Sequence, residues 1–327
     1  MSDAPVTFAG CPRPTAPLGV GTWAWGDKAT WGMGGYDTEL TEGRIAEAWA
    51  ASLAAGVTLI DTAEVYGGGE SERIIGRLLA ADPSARSRVV LATKFIPLPQ
   101  KLNVKGALRS ALLASVERLG VERVDLYQIH GPVSLRSKAA LADALAAVVD
   151  EGLTSAVGVS NYSSGEMQRI HDTLARAGVP LASNQIELSL LRRRPETVGL
   201  LAECRRLGVV PLAYSPLGQG RLTGKYSAAQ PPPGSRTFST HPMEEVDRVV
   251  AVLRRLGQAH DRTPAQVALR WIIEKGAVPI PGAKSAEQAT QNAGALGWSL
   301  PPGDVAALDA AALEGTRTLR QRIWQHG

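Results

Sequence analysis

The feature that most constrains this chain is a regular alternation of short apolar stretches with longer amphipathic ones, almost from end to end. Such alternation is typical of repeated βα units around a parallel sheet. We predict eight strands: Leu18–Thr22, Thr58–Ile60, Val89–Ala92, Val124–Gln128, Ala156–Val159, Ala182–Ile186, Val209–Ala213 and Ala277–Ile280. Eight units predict an α/β fold, a (β/α)8 TIM barrel. The 327 residues then form a single domain with its core at about 15–315, since such barrels need roughly 250 residues. A hairpin starting at Val6–Gly10 is expected to close the barrel's bottom.

The segments between the strands carry helix signals. Apolar residues recur three or four positions apart in 41–55, 104–120, 137–151 and 195–207, which predicts amphipathic helices. Three capping boxes are expected at helix starts: Ser163 with Glu166, Thr263 with Gln266, and Ser285 with Gln288. The connection from Pro216 to about Met243, after strand 7, is long and rich in glycine and proline. It indicates a cofactor-covering loop or a mobile insertion.

Composition limits the class of protein. With 44% hydrophobic and 20% charged residues, the chain is typical of soluble globular proteins. No apolar run is long enough for a membrane span, and the start lacks a signal peptide, so we expect a cytoplasmic protein. The net charge of +4 comes from scattered residues, and the short run Arg192–Arg194 is typical of a solvated surface. Neither nucleic acid nor membrane is expected as a partner.

Polar residues follow the predicted strands at the end where barrel enzymes build their active sites. These are Asp61, Lys94, His130, Ser160, Asn161, Gln185, Tyr214 and Lys284. Each alone has an ordinary structural explanation, such as a helix cap or a core histidine. A carboxylate, an ammonium and an imidazole after three consecutive strands, with Tyr66 nearby, together indicate catalysis.

Motifs typical of other enzyme classes are present only in part, and the residues around them do not fit those classes. Gly19-x-Gly21-x-x-Ala24 approximates a dinucleotide fingerprint, but tryptophans and a glycine follow where a helix should begin. Gly158 to Tyr162 lacks the second glycine of a nucleophile elbow. A glycosidase needs two opposed carboxylates, and Lys94 is better placed to neutralise one. The cysteines, Cys11 and Cys204, are too far apart for a CxxC site, and without an HExxH motif we expect no metal.

The motifs resemble the aldo-keto reductase superfamily along nearly the whole chain. They are Asp61-Thr-Ala-Glu-Val-Tyr66-Gly67, Ala92-Thr-Lys94, Gln128-Ile-His130, Gly158-Val-Ser-Asn161 and Ile280-Pro-Gly-Ala. The segment Ser215 to Lys225 resembles the cofactor loop of the branch that includes potassium-channel β-subunits. The opening Gly21-Thr-Trp-Ala-Trp-Gly26 is most similar to the pyridoxal reductase branch.

The resemblance implies NADPH or NADP⁺ as cofactor and a catalytic tetrad of Asp61, Tyr66, Lys94 and His130. It implies cofactor contacts from Thr22, Trp23, Asp61, Ser160, Asn161, Gln185, Tyr214, Ser215, Pro216, Leu217, Gly218, Gln219, Lys225, Arg236, Gly282, Lys284, Gln288, Gln291 and Asn292. Some branches carry a lysine at the Gly282 position and an arginine at the Gln288 position, both on the 2′-phosphate. Lys284 must then supply that charge.

The chemistry predicted is hydride transfer from NADPH to an aldehyde or ketone, with Tyr66 as the general acid. Bringing a tyrosine pKa from about 10 to near neutrality takes roughly 4 kcal/mol, which we expect a buried Lys94 ammonium, kept charged by Asp61, to supply. His130 would orient the carbonyl. Trp25 and Trp31 are predicted to wall the substrate pocket with His130, which favours pyridoxal or another aromatic aldehyde; the alternative is that they only pack the loop. A cofactor-binding regulatory subunit is the rival function.

Overall fold

Eight parallel strands form one sheet in the part of the chain that the computed structural model describes, residues 3–26, 40–98, 103–233 and 240–327. They are β1 Gly19–Gly21, β2 Leu59–Asp61, β3 Val90–Phe95, β4 Val124–Ile129, β5 Thr154–Ser160, β6 Leu181–Glu187, β7 Val210–Tyr214 and β8 Val278–Pro279. Each strand pairs in parallel with the next in sequence order. All eight predicted strands are present, with ends that agree to within three residues.

The sheet closes between its first and last strands. Gly21 forms a parallel bridge with Gly282, just past β8, and its N–H donates to the Pro281 carbonyl over 3.0 Å. A Cβ on Gly21 would lie 2.7 Å from the Ile280 carbonyl oxygen, so this seam requires glycine. The fold is therefore the predicted (β/α)8 barrel, in a single domain.

Helices surround the barrel. They are α1 Glu42–Ala54, α2 Glu70–Ala81, α3 Val104–Leu119, α4 Lys138–Asp150, α5 Ser164–Arg176, α6 Arg194–Thr197, α7 Leu200–Leu207, α8 Met243–His260, α9 Pro264–Glu274, α10 Ala286–Ala293, α11 Pro302–Ala311 and α12 Leu319–Trp324. None of the helices within the described ranges is long and apolar enough to cross a membrane.

The helix ends test the sequence signals. Capping boxes form at Ser163 and at Thr263 as predicted. At Ser285 only half forms: the Ser285 hydroxyl accepts from the Gln288 N–H, but the Gln288 side chain accepts from the Lys284 N–H instead. The single helix predicted over 195–207 is wrong. It divides into α6 and α7 because Gly199 adopts a left-handed φ of 81° between them.

The barrel interior is apolar at the bottom. Its layer consists of Phe8, Leu59, Val90, Ala92, Leu126, Ala156, Ala182, Leu212, Val278 and Ile280. Phe8 is fully buried there and comes from the N-terminal hairpin, in which Val6 and Thr15 exchange both backbone hydrogen bonds. The predicted hairpin is thus present. Because apolar side chains fill the bottom of the barrel, the inward-facing polar residues of the strands lie toward their carboxyl ends.

Two segments after the barrel strands approach the mouth. Past β7, the chain forms a 3₁₀ helix over Gly218–Thr223, and the Gly224 carbonyl accepts from Arg254 of α8 over 2.6 Å. The C-terminal segment, which we define as residues 316–327 and which includes α12, returns to the ends of β4, β5 and β6.

Candidate active site

Strand register brings Asp61 and Lys94 together. Asp61, the last residue of β2, pairs with Ala92 of β3, and Lys94 lies two residues further along β3 on the same inward face. The Lys94 ammonium therefore reaches the Asp61 carboxylate, with Nζ 2.6 Å from Oδ2. Both side chains are buried, 0% and 2% exposed. A buried charge of this kind is tolerated only when paired and hydrogen-bonded, which both are.

Lys94 uses all three of its N–H donors. Besides Asp61, Nζ donates to the Thr62 carbonyl over 2.8 Å and to the Tyr66 hydroxyl over 3.4 Å. Because Tyr66 accepts from Lys94, its own proton points elsewhere and is free to be donated. Its ring lies edge-on to His130, with the ring centroids 5.6 Å apart. The four residues of the expected tetrad therefore lie in one cluster at the mouth.

A run of glycines positions Tyr66. Gly67, Gly68 and Gly69 all have positive φ, between 58° and 90°, which side-chain-bearing residues rarely adopt. At Gly69, a Cβ would also lie 2.8 Å from Arg118. The chain thereby turns sharply from β2 into α2 and leaves the Tyr66 side chain half-buried at the mouth.

Two glutamines complete the Asp61 environment. Gln185 of β6 donates to Asp61 Oδ1 over 2.8 Å, and Gln128 of β4 donates to the same atom over 3.2 Å. Gln128 in turn accepts from the Ser183 hydroxyl. Gly158 of β5 leaves room for this contact, since a Cβ there would lie 2.1 Å from Ser183 Oγ. Lys94 thus has a carboxylate held in place from three strands.

The pKa values follow from burial. Burial raises the pKa of Tyr66 well above its ordinary value, and the negative Asp61 raises it further. Both causes act against the lowering that we expect from Lys94. Burial also lowers the pKa of Lys94, and Asp61 opposes this. At neutral pH Tyr66 keeps its proton, the form a general acid needs.

His130 is a neutral imidazole. Burial, and secondarily the positive Lys94, lower its pKa to about 3. Its backbone N–H donates to the Phe95 carbonyl over 2.7 Å, and its Nδ1 is buried with no hydrogen-bond partner among the described residues. A neutral imidazole beside a phenol can hydrogen-bond a carbonyl oxygen without competing for the proton.

The ends of β5 and β7 meet beside this cluster. The Tyr214 hydroxyl donates to Asn161 Oδ1 over 2.9 Å, and Asn161 Nδ2 lies 3.2 Å from the Ser160 hydroxyl. Asn161 and Ser215 both have left-handed backbones, with φ of 62° and 49°. Such conformations in residues other than glycine cost free energy and cluster at functional sites.

A third group lies at the start of α10. Ser285 caps this helix and Lys284 directly precedes the cap; a helix start and an ammonium are groups that favour anions. Asn292 donates to the Gly282 carbonyl over 3.2 Å, and Gln291 to Glu287 over 3.1 Å. The pyrophosphate or 2′-phosphate of a dinucleotide fits this chemistry.

The geometry and the sequence agree with a known family. The model of the aldo/keto reductase family matches residues 17–313. The chain belongs to the aldo/keto reductase family. Carbonyl reduction with a nicotinamide cofactor is the reaction of this family, so the protein is an oxidoreductase.

Relatives of this aldo/keto reductase cover nearly all of it. The chloroplastic pyridoxal reductase of Arabidopsis thaliana is 36% identical over 325 residues, 96% of this chain and 88% of that protein. The glycerol dehydrogenase structure from Gluconobacter oxydans is 28% identical, with a TM-score of 0.82 over 98% of this chain and 99% of that one. An aldo-keto reductase from Klebsiella pneumoniae in complex with NADPH is 26% identical, with a TM-score of 0.76 over 97% and 98%.

Most of the remaining residues expected to contact the cofactor lie in the part of the aldo/keto reductase that the structure describes. Thr22 is buried, and its hydroxyl donates to the Asp61 carbonyl, while Trp23 is partly exposed just beyond β1. The loop after β7 carries Pro216, Leu217, Gly218, Gln219 and the exposed Lys225. Arg236 and Trp31 lie outside the described residues.

The position of Trp25 differs from the prediction that it walls the substrate pocket. The residue is only 1% exposed, and its indole N–H donates to the Ala283 carbonyl over 2.9 Å. The side chain therefore fastens the loop after β1 to the loop after β8, where a substrate does not reach it. The pocket-wall prediction for Trp25 is wrong, and the loop-packing alternative is the correct one.

Sequence reasoning missed contributions from the C-terminal segment. The Trp324 ring packs against Gly131, the neighbour of His130, 3.7 Å from the position of a Cβ there. Gln325 donates to the Tyr214 hydroxyl over 2.8 Å and to Glu187 over 2.6 Å. No local pattern marks these two residues. Gln128 could have been predicted from the sequence, because it lies two residues before His130 on the inward face of the same predicted strand.

Proposed function

We propose that this aldo/keto reductase reduces an aromatic aldehyde, of which pyridoxal is the specific candidate, with NADPH. The observation that carries the reaction type is the Tyr66 hydroxyl, which accepts from a buried Lys94 ammonium and lies beside neutral His130. NADPH supplies the hydride when it is bound. The residues of this chain position the carbonyl and deliver the proton.

The proton step is assigned to Tyr66. As negative charge develops on the carbonyl oxygen, the Tyr66 proton moves to that oxygen, and the buried Lys94 stabilises the phenolate that remains. His130 donates a hydrogen bond to the same oxygen. Asp61 keeps Lys94 charged during this step, since burial alone would favour the neutral amine.

For the cofactor, the residues fit a dinucleotide across the mouth. Asn161 and Tyr214 would hold the nicotinamide half at the ends of β5 and β7. Lys284 and the start of α10 would hold the phosphate of the adenosine half. Gln185 already donates to Asp61, so its proposed role is to position the tetrad as well as to contact the cofactor.

The substrate class rests on aromatic side chains and on a relative. The Arabidopsis relative bears the name pyridoxal reductase. Since Trp25 is buried, the aromatic wall is reassigned to Trp324, whose ring lies against Gly131 next to His130. Stacking on an indole contributes about 0.5 to 1.5 kcal/mol beyond burial, roughly a threefold to tenfold advantage if kept in the transition state.

The test follows NADPH consumption with pyridoxal, benzaldehyde and butanal. Tyr66→Phe should lose roughly 100- to 10,000-fold in turnover while it binds NADPH normally, because only the proton donor is removed. Near wild-type turnover in this variant would refute the mechanism. Absence of turnover in the wild type with every carbonyl, despite NADPH binding, would instead favour a regulatory subunit.

A matched pair of variants tests the substrate class. Trp324→Ala should lower kcat/KM for pyridoxal and benzaldehyde relative to butanal. Trp25→Ala should leave that ratio unchanged, since its ring is in the core. Equal efficiency for butanal and the aromatic aldehydes in the wild type would overturn the aromatic assignment while leaving the reaction type intact.

A cytoplasmic location is a further part of this proposal. Cys11 and Cys204 are both free thiols, which suits a reducing compartment. Cell fractionation with an antibody to the chain tests it.

A further inference from the structure

A cavity of about 450 Å³ lies between the C-terminal segment and the residues that follow β6. Its lining includes four arginines, Arg192, Arg194, Arg317 and Arg322, and none of the described lining residues carries a carboxylate. The family site described above does not use these arginines. Four guanidinium groups around one concave surface produce a strong positive potential.

Partners compensate two of the four charges. Arg192 Nε lies 3.6 Å from Glu187, and Arg194 lies 3.7 Å from Glu314. Within the described ranges, no ion pair involves Arg317 or Arg322, and both side chains are exposed. Counting only the described side chains, the cavity carries about two positive charges without an ion pair, which match the charge of a phosphate monoester at neutral pH.

The cavity also contains buried polar atoms without hydrogen bonds. Arg192 is 3% exposed, and its Nε donates no hydrogen bond to any described residue, while its other nitrogens donate to the Thr316 and Gly327 carbonyls. The Oε1 atom of Gln325 is buried with no hydrogen-bond partner among the described residues, and as an acceptor it can contact a donor on the organic group of a ligand but not a phosphate dianion. Arg192 Nε lies 3.6 Å from the Glu187 carboxylate, so the guanidinium groups that remain for an anion are those of Arg317 and Arg322.

We propose that this arginine cavity binds a phosphate monoester of a small molecule. Guanidinium groups recognise phosphate oxygens through paired, charge-assisted hydrogen bonds, which favours arginine over lysine for this ligand. The volume exceeds what a single phosphate fills and lies in the range of small-molecule sites, so the ligand carries an organic group.

Binding would also hold the C-terminal segment in place. Arg192 follows β6, whereas Arg317 and Arg322 belong to the segment, so one phosphate group bridges the two. Gln325 lies between this cavity and Tyr214, to which it donates. A ligand in the cavity would therefore contact a residue that hydrogen-bonds to Tyr214.

The experiment is calorimetric titration of the full chain with phenyl phosphate, at fixed ionic strength and with saturating NADP⁺ so that the cofactor's phosphate sites are occupied. The variant R317A/R322A removes two exposed arginines of the cavity. The matched control R248A/R255A removes two exposed arginines of α8, which lie outside the cavity. Melting temperatures near that of the wild type would establish that both variants fold.

Saturable binding is expected in the wild type and the control, with Kd at least tenfold weaker in R317A/R322A. Absence of binding, unchanged binding in R317A/R322A, or equal losses in both variants would overturn the proposal. Inorganic phosphate should bind at least tenfold more weakly than phenyl phosphate. Equal affinities would show that the cavity recognises the dianion alone and would refute the ester assignment.

Hydrogen exchange tests the bridging. Phenyl phosphate should slow amide exchange at least threefold in 316–327 of the wild type and not in R317A/R322A. Binding without any slowing would show that the ligand does not fasten the segment, which would overturn this part of the proposal.

Discussion

Removing the Asp61 carboxylate isolates the energetics of the buried pair. In Asp61→Asn, an amide replaces the group that accepts from Lys94, Gln128 and Gln185. An amide has one oxygen, so its NH₂ must face either the Lys94 ammonium or the two glutamine NH₂ groups. Lys94 is left buried without a counter-charge.

The magnitude is bounded by the cost of deprotonating Lys94. Removing the proton from a lysine of ordinary pKa at pH 7 costs about 4 to 5 kcal/mol, at about 1.4 kcal/mol per pH unit. This agrees with the roughly 3 to 5 kcal/mol lost when one partner of a buried pair is removed. We expect Asp61→Asn to lose stability in that range at pH 7.

The pH dependence has a definite sign. Burial lowers the pKa of Lys94, and the loss of Asp61 removes the group that opposes this. The unfolded variant therefore binds more protons than the folded one, and the variant's stability should rise with pH between 7 and 9, by up to about 1.4 kcal/mol per unit relative to wild type. Urea denaturation across this range measures it.

The double variant Asp61→Asn/Lys94→Met is the control. It removes both charges, so its loss of stability should be well below the sum of the two single losses, while turnover stays at least 100-fold below wild type. Additive losses, or a pH-independent deficit in Asp61→Asn, would refute the argument that a desolvated pair dominates this site.

Three further outcomes are expected. Lys284→Ala should weaken NADPH roughly 10- to 100-fold more than NADH, since a charge-assisted contact contributes about 1.5 to 3 kcal/mol; equal losses in a fluorescence titration would exclude Lys284 as the discriminating group and leave Arg236 as the next candidate. Trp25→Ala should lose about 3 to 5 kcal/mol of stability in urea, because it empties a core site and leaves the Ala283 carbonyl without its donor; a loss below 1 kcal/mol would contradict its structural role. Since burial lowers the pKa of His130 to about 3, its imidazole stays neutral from pH 5 to 8, and the kcat/KM of the wild type should show no inflection near pH 6.5. An inflection there that disappears in His130→Asn would contradict this assignment.

Local patterns were enough to predict the fold and the clustering of Asp61, Tyr66, Lys94 and His130. Strand and helix periods depend on near neighbours in sequence, so the eight βα units were visible. Because barrel strands are parallel and in sequence order, the residues that follow them had to meet at one mouth, which placed Asp61, Lys94 and His130 together.

Only the tertiary structure decided how those residues are held and what surrounds them. The convergence of Gln128 and Gln185 on Asp61 depends on the register of three strands, and the burial that raises the pKa of Tyr66 depends on the packed mouth. The burial of Trp25 and the position of Trp324 beside Gly131 were not predictable for the same reason. Their environments are set by contacts with residues far away in the sequence, and hydrophobic burial is decided by the whole packed molecule rather than by a residue's neighbours along the chain.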